Sequence, residues 1–159
     1  MKAEGIEQKA EVRIAGLLRY PATAPARSTD DCEEVAAFFD EVAHVDSRGM
    51  EELYTRTFDL NPVATLEAGW HLWGEHFERG RFLADLRGLQ AQLGVDSGCE
   101  LPDHLTVLLP TIAAAPDNTD LRDKCAMAIE KILKPLEEQG NPYRHLLRAA
   151  RDLCRGATA

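Results

Sequence analysis

The sequence predicts an all-α fold, a single compact bundle of about seven or eight helices. Apolar residues recur at helical spacing along nearly the whole chain, and the alternation that marks β-strands is hardly found. Residues that favour helix ends, such as Asp, Asn, Gly and Pro, separate these apolar stripes. A length of 159 residues suits one domain, so we expect residues 1–159 to form one all-helical unit.

Eight segments carry the helical pattern. The first, residues 6–19, precedes a stretch rich in Pro, Ala and Thr at residues 21–30, which we expect to be an extended or mobile linker. The others are predicted at residues 31–45, 48–58, 62–73, 75–93, 102–114, 119–138 and 142–154. Three apolar stripes are clear: Val35, Phe38, Phe39 and Val42; Leu83, Leu86, Leu89 and Leu93; and Leu121, Cys125, Ala128, Ile132 and Leu136.

Residues that start or stop helices stand at the ends of these segments. Short polar side chains cap helix N-termini, glycine suits the left-handed position after a helix, and proline suits the first turn. The candidates are Ser28, Thr29, Asp30 and Asn118 as N-caps, Gly94 and Gly140 after C-termini, and Pro62, Pro102 and Pro142 in first turns.

The acidic charge balance narrows the class of partner. The formal net charge is -9 and the isoelectric point is about 5.0. Nucleic acids and anionic membranes attract clustered Lys and Arg, so we expect no nucleic-acid partner and regard a basic peptide as the better electrostatic match. The N-terminus lacks a signal-peptide pattern, and the longest apolar run, residues 105–115, is too short to span a bilayer. These features predict a cytoplasmic protein without direct membrane insertion.

No motif predicts catalysis or metal binding. Nucleophile elbows, phosphate-binding loops and cysteine pairs with metal-ligand spacing are all missing from the sequence. His71 and His76 are five positions apart, which turns them to different faces of a helix, so they do not form a zinc pair. Asp103 and His104 are sequence neighbours and point in different directions on a helix. We therefore expect no enzyme activity, no catalytic residue and no metal site.

The segment from Tyr54 to Gly80 is rich in aromatic residues. Tyr54 and Phe58 form one pair at helical spacing, and Trp70 and Trp73 form another on the next predicted helix. A helical hairpin turned between them could bring the pairs together as an aromatic-lined groove, or the four rings could simply fill the core. Asp59 could cap a helix locally or provide a charge at the mouth of such a groove.

Five short motifs, in order and in spacing, resemble one known family. The resemblance covers most of the chain, from about Leu17 to the last predicted helix, and the combination of motifs is specific. The motifs are LLRYP near the N-terminus, YxxTFDLNP at Tyr54–Pro62, HLWG at His71–Gly74, RGxxL at Arg79–Leu83 and ELPDHL at Glu100–Leu105. The chain is thereby similar to the nitrate reductase molybdenum cofactor assembly chaperones, the NarJ-type delta proteins, which belong with the TorD-like redox enzyme maturation chaperones.

The resemblance implies a TorD-like helical chaperone without catalysis of its own. Such a protein binds the apo catalytic subunit of a molybdenum oxidoreductase, commonly through its N-terminal segment. It assists insertion of bis-molybdopterin guanine dinucleotide before membrane attachment or export, holds no cofactor stably itself, and is expected to be a monomer or a weak homodimer. The alternative is an adaptor subunit that stays bound to its partner protein.

The resemblance leaves the client enzyme open. Relatives often carry tyrosines before the histidine of the HLWG motif and an aspartate after its glycine, whereas this chain has tryptophans and Glu75. The client could be a nitrate, selenate, chlorate or perchlorate reductase or a hydrocarbon dehydrogenase.

The candidate functional residues cluster between Tyr54 and Asp103. Those expected to bind the client peptide are Tyr54, Phe58, Asp59, Trp70, His71 and Glu75. Those expected to shape the backbone are Asn61, Pro62, Gly74, Gly80, Pro102 and Asp103, with Asn61 as an N-cap before Pro62. His71 is either a ligand contact or a hydrogen-bonded structural residue, and its ordinary pKa near 6.5 raises the hypothesis that client binding changes between about pH 6 and 8.

Overall fold

The computed structural model describes residues 2–23 and 26–156, with side chains from residue 10 onward. Within these residues the chain forms eight α-helices and one short π-helix, without a β-strand, and the helices pack as a compact bundle. The predicted all-α bundle is confirmed. The α-helices are Lys2–Leu17 (α1), Glu33–Val42 (α2), Ser47–Tyr54 (α3), Ala68–Trp73 (α4), Phe77–Leu93 (α5), Leu105–Ala114 (α6), Thr119–Glu138 (α7) and Arg144–Cys154 (α8), and the π-helix is Thr55–Asp59. No helix in this part of the chain combines the length and the apolar character needed to cross a bilayer.

Helix α6 is almost entirely buried within the bundle. Leu105, Leu108, Leu109 and Ile112 each expose at most 1% of their surface. The helix is apolar on nearly every side, which is typical of a helix that is surrounded by others. It packs most extensively against α1 and also contacts α5 and α7. Helix α6 is therefore enclosed by neighbouring helices, mainly by α1.

The predicted apolar stripes of α2 and α7 are confirmed, because all of their residues are buried. Helix α2 packs on α8, and α7 packs on both α8 and α4. The stripe of α5 is less complete. Leu86 is buried, whereas Leu83, Leu89 and Leu93 are half-buried. The reason is that α5 packs mainly on the short helix α4 and only slightly on α6.

A partly buried charge network fixes α2 over α8. The ring nitrogens of His145 lie 2.6 Å from a Glu34 carboxylate oxygen and 2.9 Å from one of Glu41. Arg144 also donates to Glu41, at 2.8 Å. The hydrogen bond from Arg144, together with that from His145, holds the pKa of Glu41 below its ordinary value.

The prediction of a helix over residues 62–73 is wrong in its first half, since α4 begins at Ala68. The preceding backbone is extended and pairs with the chain ahead of α6. The carbonyl of Leu66 accepts the N–H of Leu105, and the N–H of Ala68 donates to the carbonyl of Asp103, both at 2.9 Å. These long-range bonds satisfy backbone groups that would otherwise have to pair within a helix.

Other predicted helix starts are also too early. Asn61 is not the N-cap of α4, and Pro62 lies in a turn outside that helix. Pro102 lies in a turn before α6, whose N-cap is His104. Pro142 lies two residues ahead of α8. The prolines mark turns correctly, but the helices begin later than their pattern predicts.

The caps of α5 and α7 are confirmed. Asn118 accepts the N–H of Leu121 at 3.1 Å at the start of α7. Gly94 and Gly140 follow α5 and α7 with φ of 71° and 62°.

The start of α2 differs from the prediction. Its N-cap is Cys32 and not Ser28, Thr29 or Asp30. Residues 24 and 25 of the predicted linker lie outside the described residues. Before them, Pro21 is buried. After them, the chain is bonded to α1, because Arg13 donates to the carbonyl of Ala26 at 2.6 Å and to the Asp31 carboxylate at 2.9 Å.

Candidate functional site

Two of the predicted client contacts, Tyr54 and Phe58, are core residues. They expose 5% and 4% of their surface. Their ring centroids are 5.1 Å apart, and the ring of Phe58 lies 4.9 Å from that of Tyr143 on the chain just before α8. The hydroxyl of Tyr54 donates to the carbonyl of Leu18 at 3.0 Å, and burial raises the pKa of Tyr54 above its ordinary value, which keeps that donor protonated. The pair therefore fastens the end of α3 to the bundle.

The π-helix after α3 turns the chain outward. The N–H of Leu60 bonds to the carbonyl of Thr55 at 3.0 Å, a spacing of five residues. The side chain of Thr57 holds the turn from both sides, donating to the carbonyl of Leu53 at 2.7 Å and accepting from Asn141 at 2.8 Å. Beyond this turn the chain reaches the surface, where Asp59 is exposed. Single π-turns inside helices are frequent at functional sites.

Leu60 borders an open cleft of about 470 Å³ beside the π-helix. The side chain of Leu60 is 74% exposed. Charges of both signs surround it, which differs from a purely acidic rim. The lining residues are Tyr20, Arg48, Glu51, Glu52, Thr55, Arg56 and Leu60.

Helix α4 carries two tryptophans that differ in exposure. Trp70 is 36% exposed, and the guanidinium of Arg79 lies 5.9 Å from its ring centroid. Trp73 packs inward, with its ring 4.9 Å from that of Phe82. Only Trp70 therefore presents much of its indole to a partner, while Trp73 anchors α4 to α5.

No ring contact joins the two aromatic pairs in the part of the chain that the structure describes. Among the described residues, Tyr54 and Phe58 contact Tyr20 and Tyr143, whereas Trp73 contacts Phe82. Of the two alternatives that the sequence left open, a shared groove or a filled core, the ring contacts do not show a groove formed by both pairs. The extended chain between the π-helix and α4 pairs with the segment before α6, so the two helices do not fold back on each other as a tight hairpin.

The N-terminus of α4 is held by Asp103, which is completely buried. Its Oδ2 accepts the N–H of Gly69 at 2.9 Å and is approached by Nε and Nη2 of Arg79 at 3.3 Å each. A Cβ on Gly69 would lie 2.6 Å from this oxygen, so only glycine permits the approach. The buried Asp103 thus fixes the position of the N-terminus of α4.

The C-terminus of α4 ends at Gly74, which has φ of 60° and ψ of −128°, a conformation that favours glycine. The carbonyl of His71 accepts a hydrogen bond from Nζ of Lys131 on α7 at 3.0 Å. Glu75 is exposed immediately after this turn. Gly80, by contrast, has open space where a Cβ would stand, so no steric need for glycine is seen there.

His71 is half-buried and hydrogen-bonded. Its Nε2 lies 2.6 Å from the carbonyl of Thr65, and because a carbonyl only accepts, the nitrogen must carry the proton. Burial lowers the pKa of His71 from the ordinary value of 6.5, although the bond to Thr65 opposes this. His71 is therefore neutral over most of the range from about pH 6 to 8 in which the sequence raised a charge change.

This lowered pKa predicts a pH dependence of stability. The neutral form is favoured in the folded state, so the contribution of His71 is fully present above pH 6.5 and is lost as the pH falls below it. We expect the unfolding free energy of the wild type to decline more steeply between pH 7.5 and 5.5 than that of His71→Gln, in which an amide N–H can replace the donor to Thr65. Urea unfolding at several pH values measures both slopes. Equal slopes would contradict the expectation.

Sequence reasoning missed three exposed apolar residues near the predicted contacts. Leu60, Val63 and Phe77 are 74%, 57% and 71% exposed. Phe77 could have been found, because it stands three to four residues from Gly80 and Arg81 and so lies off the apolar stripe of α5. Leu60 and Val63 gave no such signal, since turns have no periodicity from which to infer a face.

The described part of the chain contains no cluster of side chains that could bind a metal ion. No group of three or more His, Cys, Asp or Glu side chains there could hold a metal ion. The four cysteines are free thiols, of which Cys125 and Cys154 are buried. The hydrogen bond with the Cys154 thiol, followed by burial, raises the pKa of Cys125, which makes it a poor nucleophile.

Comparisons with known proteins place this fold in a family. A family model described as nitrate reductase delta subunit matches residues 24–149. Over 90 residues the chain is 28% identical to the nitrate reductase molybdenum cofactor assembly chaperone NarJ of Escherichia coli strain K12, and equally to that of Escherichia coli O157:H7. The aligned part is 56% of this chain and 38% of each relative, so the match spans well under half of the relatives. Because the family model covers most of the sequence, the chain belongs to the nitrate reductase delta subunit family.

Proposed function

We propose that this protein is a system-specific chaperone for a molybdenum oxidoreductase such as respiratory nitrate reductase. It binds the apo catalytic subunit, through that subunit's N-terminal segment, and assists molybdenum cofactor insertion before membrane attachment or export. Support comes from membership of the nitrate reductase delta subunit family and from the relatives' name as molybdenum cofactor assembly chaperones. On this proposal the protein acts in the cytoplasm, as one domain and as a monomer or weak homodimer, without catalysis of its own.

The observation that carries the proposal is the concentration of exposed apolar side chains in one segment. Residues 60–77, hereafter the 60–77 segment, hold Leu60, Val63, Trp70 and Phe77, each of them 36% exposed or more. Scattered exposed apolar residues are ordinary, but several in one short stretch that follows a π-turn and contains a glycine turn suit a binding surface. A partly exposed tryptophan stacked on an arginine is also a frequent energetic centre of interfaces.

The physical basis of binding follows from these groups. When an apolar peptide covers such side chains, each Å² of apolar surface that is removed from water contributes roughly 25 cal/mol of favourable free energy. Asp59 is exposed just before the segment and Glu75 is exposed within it, near its end. The whole chain is also acidic, so Lys or Arg in the client is attracted and its association is faster. Binding at micromolar to nanomolar Kd corresponds to about 8–12 kcal/mol, part of which is consumed in ordering the peptide.

The six predicted contacts take different roles in this proposal. Trp70, Asp59 and Glu75 are direct contacts, because they are exposed. His71 is half-buried and engaged with Thr65, which suits a supporting role beside the contact surface. Tyr54 and Phe58 act only by supporting the fold, since they are buried.

The cofactor enters this proposal through the client. Bis-molybdopterin guanine dinucleotide would be held by the catalytic subunit, and this chain would keep that subunit in a receptive state. The adaptor alternative differs in lifetime: an adaptor stays with its partner, so the active enzyme isolated from cells would still contain this chain. A chaperone would be present on the apo subunit and missing from the mature enzyme.

The test is calorimetric titration with synthetic peptides from the N-terminus of a nitrate reductase catalytic subunit. We expect saturable binding by the wild type, weakened about tenfold or more in Trp70→Ala, because truncation of a central interface tryptophan often has such an effect. Val12→Ala is a matched control, because Val12 is 53% exposed on α1 and outside the segment. Circular dichroism melting of each variant checks the fold. Equal affinity in wild type and Trp70→Ala would place the binding surface elsewhere, and no binding by the wild type would contradict a peptide client.

A further inference from the structure

Helix α4 depends on its neighbours for its position. It spans only Ala68–Trp73, and helices shorter than about 12 residues are marginal in water by themselves. Its N-terminus is bonded to Asp103, as described above. What holds its C-terminus then decides how firmly Trp70 is oriented.

The C-terminal contact comes from the neighbouring helix α7. Nζ of Lys131 donates to the carbonyl of His71 at 3.0 Å, across 60 positions of sequence. Carbonyls in the last turn of a helix lack partners within the helix, and a cation near them interacts favourably with the helix dipole. Helix α7 packs against α4, so the ammonium group connects a long, well-packed helix to the end of a short one.

We propose that Lys131 is a positioning residue for client binding, which holds the end of α4 so that Trp70 presents one orientation to the client. The inference rests on the proposed function. His71 and Trp70 are adjacent, and the backbone carbonyl of Trp70 accepts the N–H of Gly74 at 2.8 Å. The His71 carbonyl that is bonded to Lys131 therefore belongs to the same helical turn as Trp70. Without the hydrogen bond from Lys131, this turn adopts more orientations. The affinity for the client then falls in proportion to the fraction of molecules in the orientation that can bind.

The experiment compares Lys131→Gln with Lys134→Gln. Both lysines are exposed on α7, and both changes remove one positive charge, so any general electrostatic effect on a basic client is the same in the two variants. We expect Lys131→Gln to bind the N-terminal client peptide about threefold to tenfold more weakly than Lys134→Gln, the range that matches the usual net contribution of one hydrogen bond, because this bond is exposed. Lys131→Arg should restore affinity, because its guanidinium also donates to a carbonyl.

A second measurement does not depend on client binding. Amide hydrogen exchange of the free protein reports opening of residues 68–74 directly. We expect faster exchange there in Lys131→Gln and unchanged exchange in Lys134→Gln, with melting temperatures of both variants close to the wild type.

The outcomes separate the inference from the proposed function. If the wild type binds the peptide and the two variants bind it equally, the inference is overturned while the proposed function stands. If the wild type binds no such peptide, the proposed function fails, and unchanged exchange in Lys131→Gln would overturn the positioning role as well. Faster exchange confined to residues 68–74, together with weaker binding, supports the inference.

Discussion

Replacement of Phe58 by alanine is expected to lower the free energy of unfolding by about 3–5 kcal/mol, the range for truncation of a buried phenylalanine. Phe58 exposes 4% of its surface and packs edge-to-face on both Tyr54 and Tyr143. The variant loses these contacts and leaves a cavity beside the rings of Tyr54 and Tyr143. Urea unfolding followed by circular dichroism measures the change.

Phe77→Ala is the matched control, because the same side chain is removed from a position that is 71% exposed. Its unfolding free energy should change by no more than about 0.5 kcal/mol. A similar small change in Phe58→Ala would show that Phe58 is not part of the core. A large change means that lost client binding in Phe58→Ala reports damage to the fold and does not identify a contact with the client.

Replacement of Asp103 by alanine is the second change with a large expected effect. The variant leaves the N–H of Gly69 and the guanidinium of Arg79 without the carboxylate that they share. Removing one partner from such a buried pair is expected to lower the free energy of unfolding by about 3 kcal/mol. Because Arg79 is 21% exposed, water can relieve part of the loss, so the upper end of the usual range is not expected.

The comparison for this prediction is Asp85→Ala. Asp85 is exposed on α5, so its removal should be nearly neutral. Asp103→Ala should also increase exposure of Trp70, because the carboxylate holds both the start of α4 and the arginine that stacks on the indole. Stronger quenching of tryptophan fluorescence by acrylamide would register this. Equal free energies of unfolding in Asp103→Ala and Asp85→Ala would contradict a role of Asp103 in holding α4.

These two predictions separate folding from binding in the segment between Tyr54 and Asp103. Residues that hold the segment in place are buried and change stability. Residues that carry the proposed client contacts are exposed and should change affinity alone. Variants at Trp70 and Phe77 therefore test function, whereas variants at Phe58 and Asp103 test the support beneath it.

The sequence by itself determined the class of the fold and most of its helices. Helical periodicity depends only on neighbours three and four residues away, so the stripes of α2 and α7 could be identified without knowledge of their partners. The N-cap Asn118 is local in the same way, because it bonds to a residue three positions later. The family could also be identified, since short motifs in order are a property of the chain alone.

Only the tertiary structure decided where α4 begins and which aromatic rings face the solvent. Asp103 bonds to Gly69 across 34 positions, and Lys131 to His71 across 60. Such contacts leave no periodic trace in the sequence, so neither the late start of α4 nor the support of its two ends could be predicted. The spacing of Tyr54 and Phe58 is the same whether the rings meet the core or a client. Their burial follows from the helices that pack over them, above all from the position of Tyr143, and that is a property of the assembled bundle.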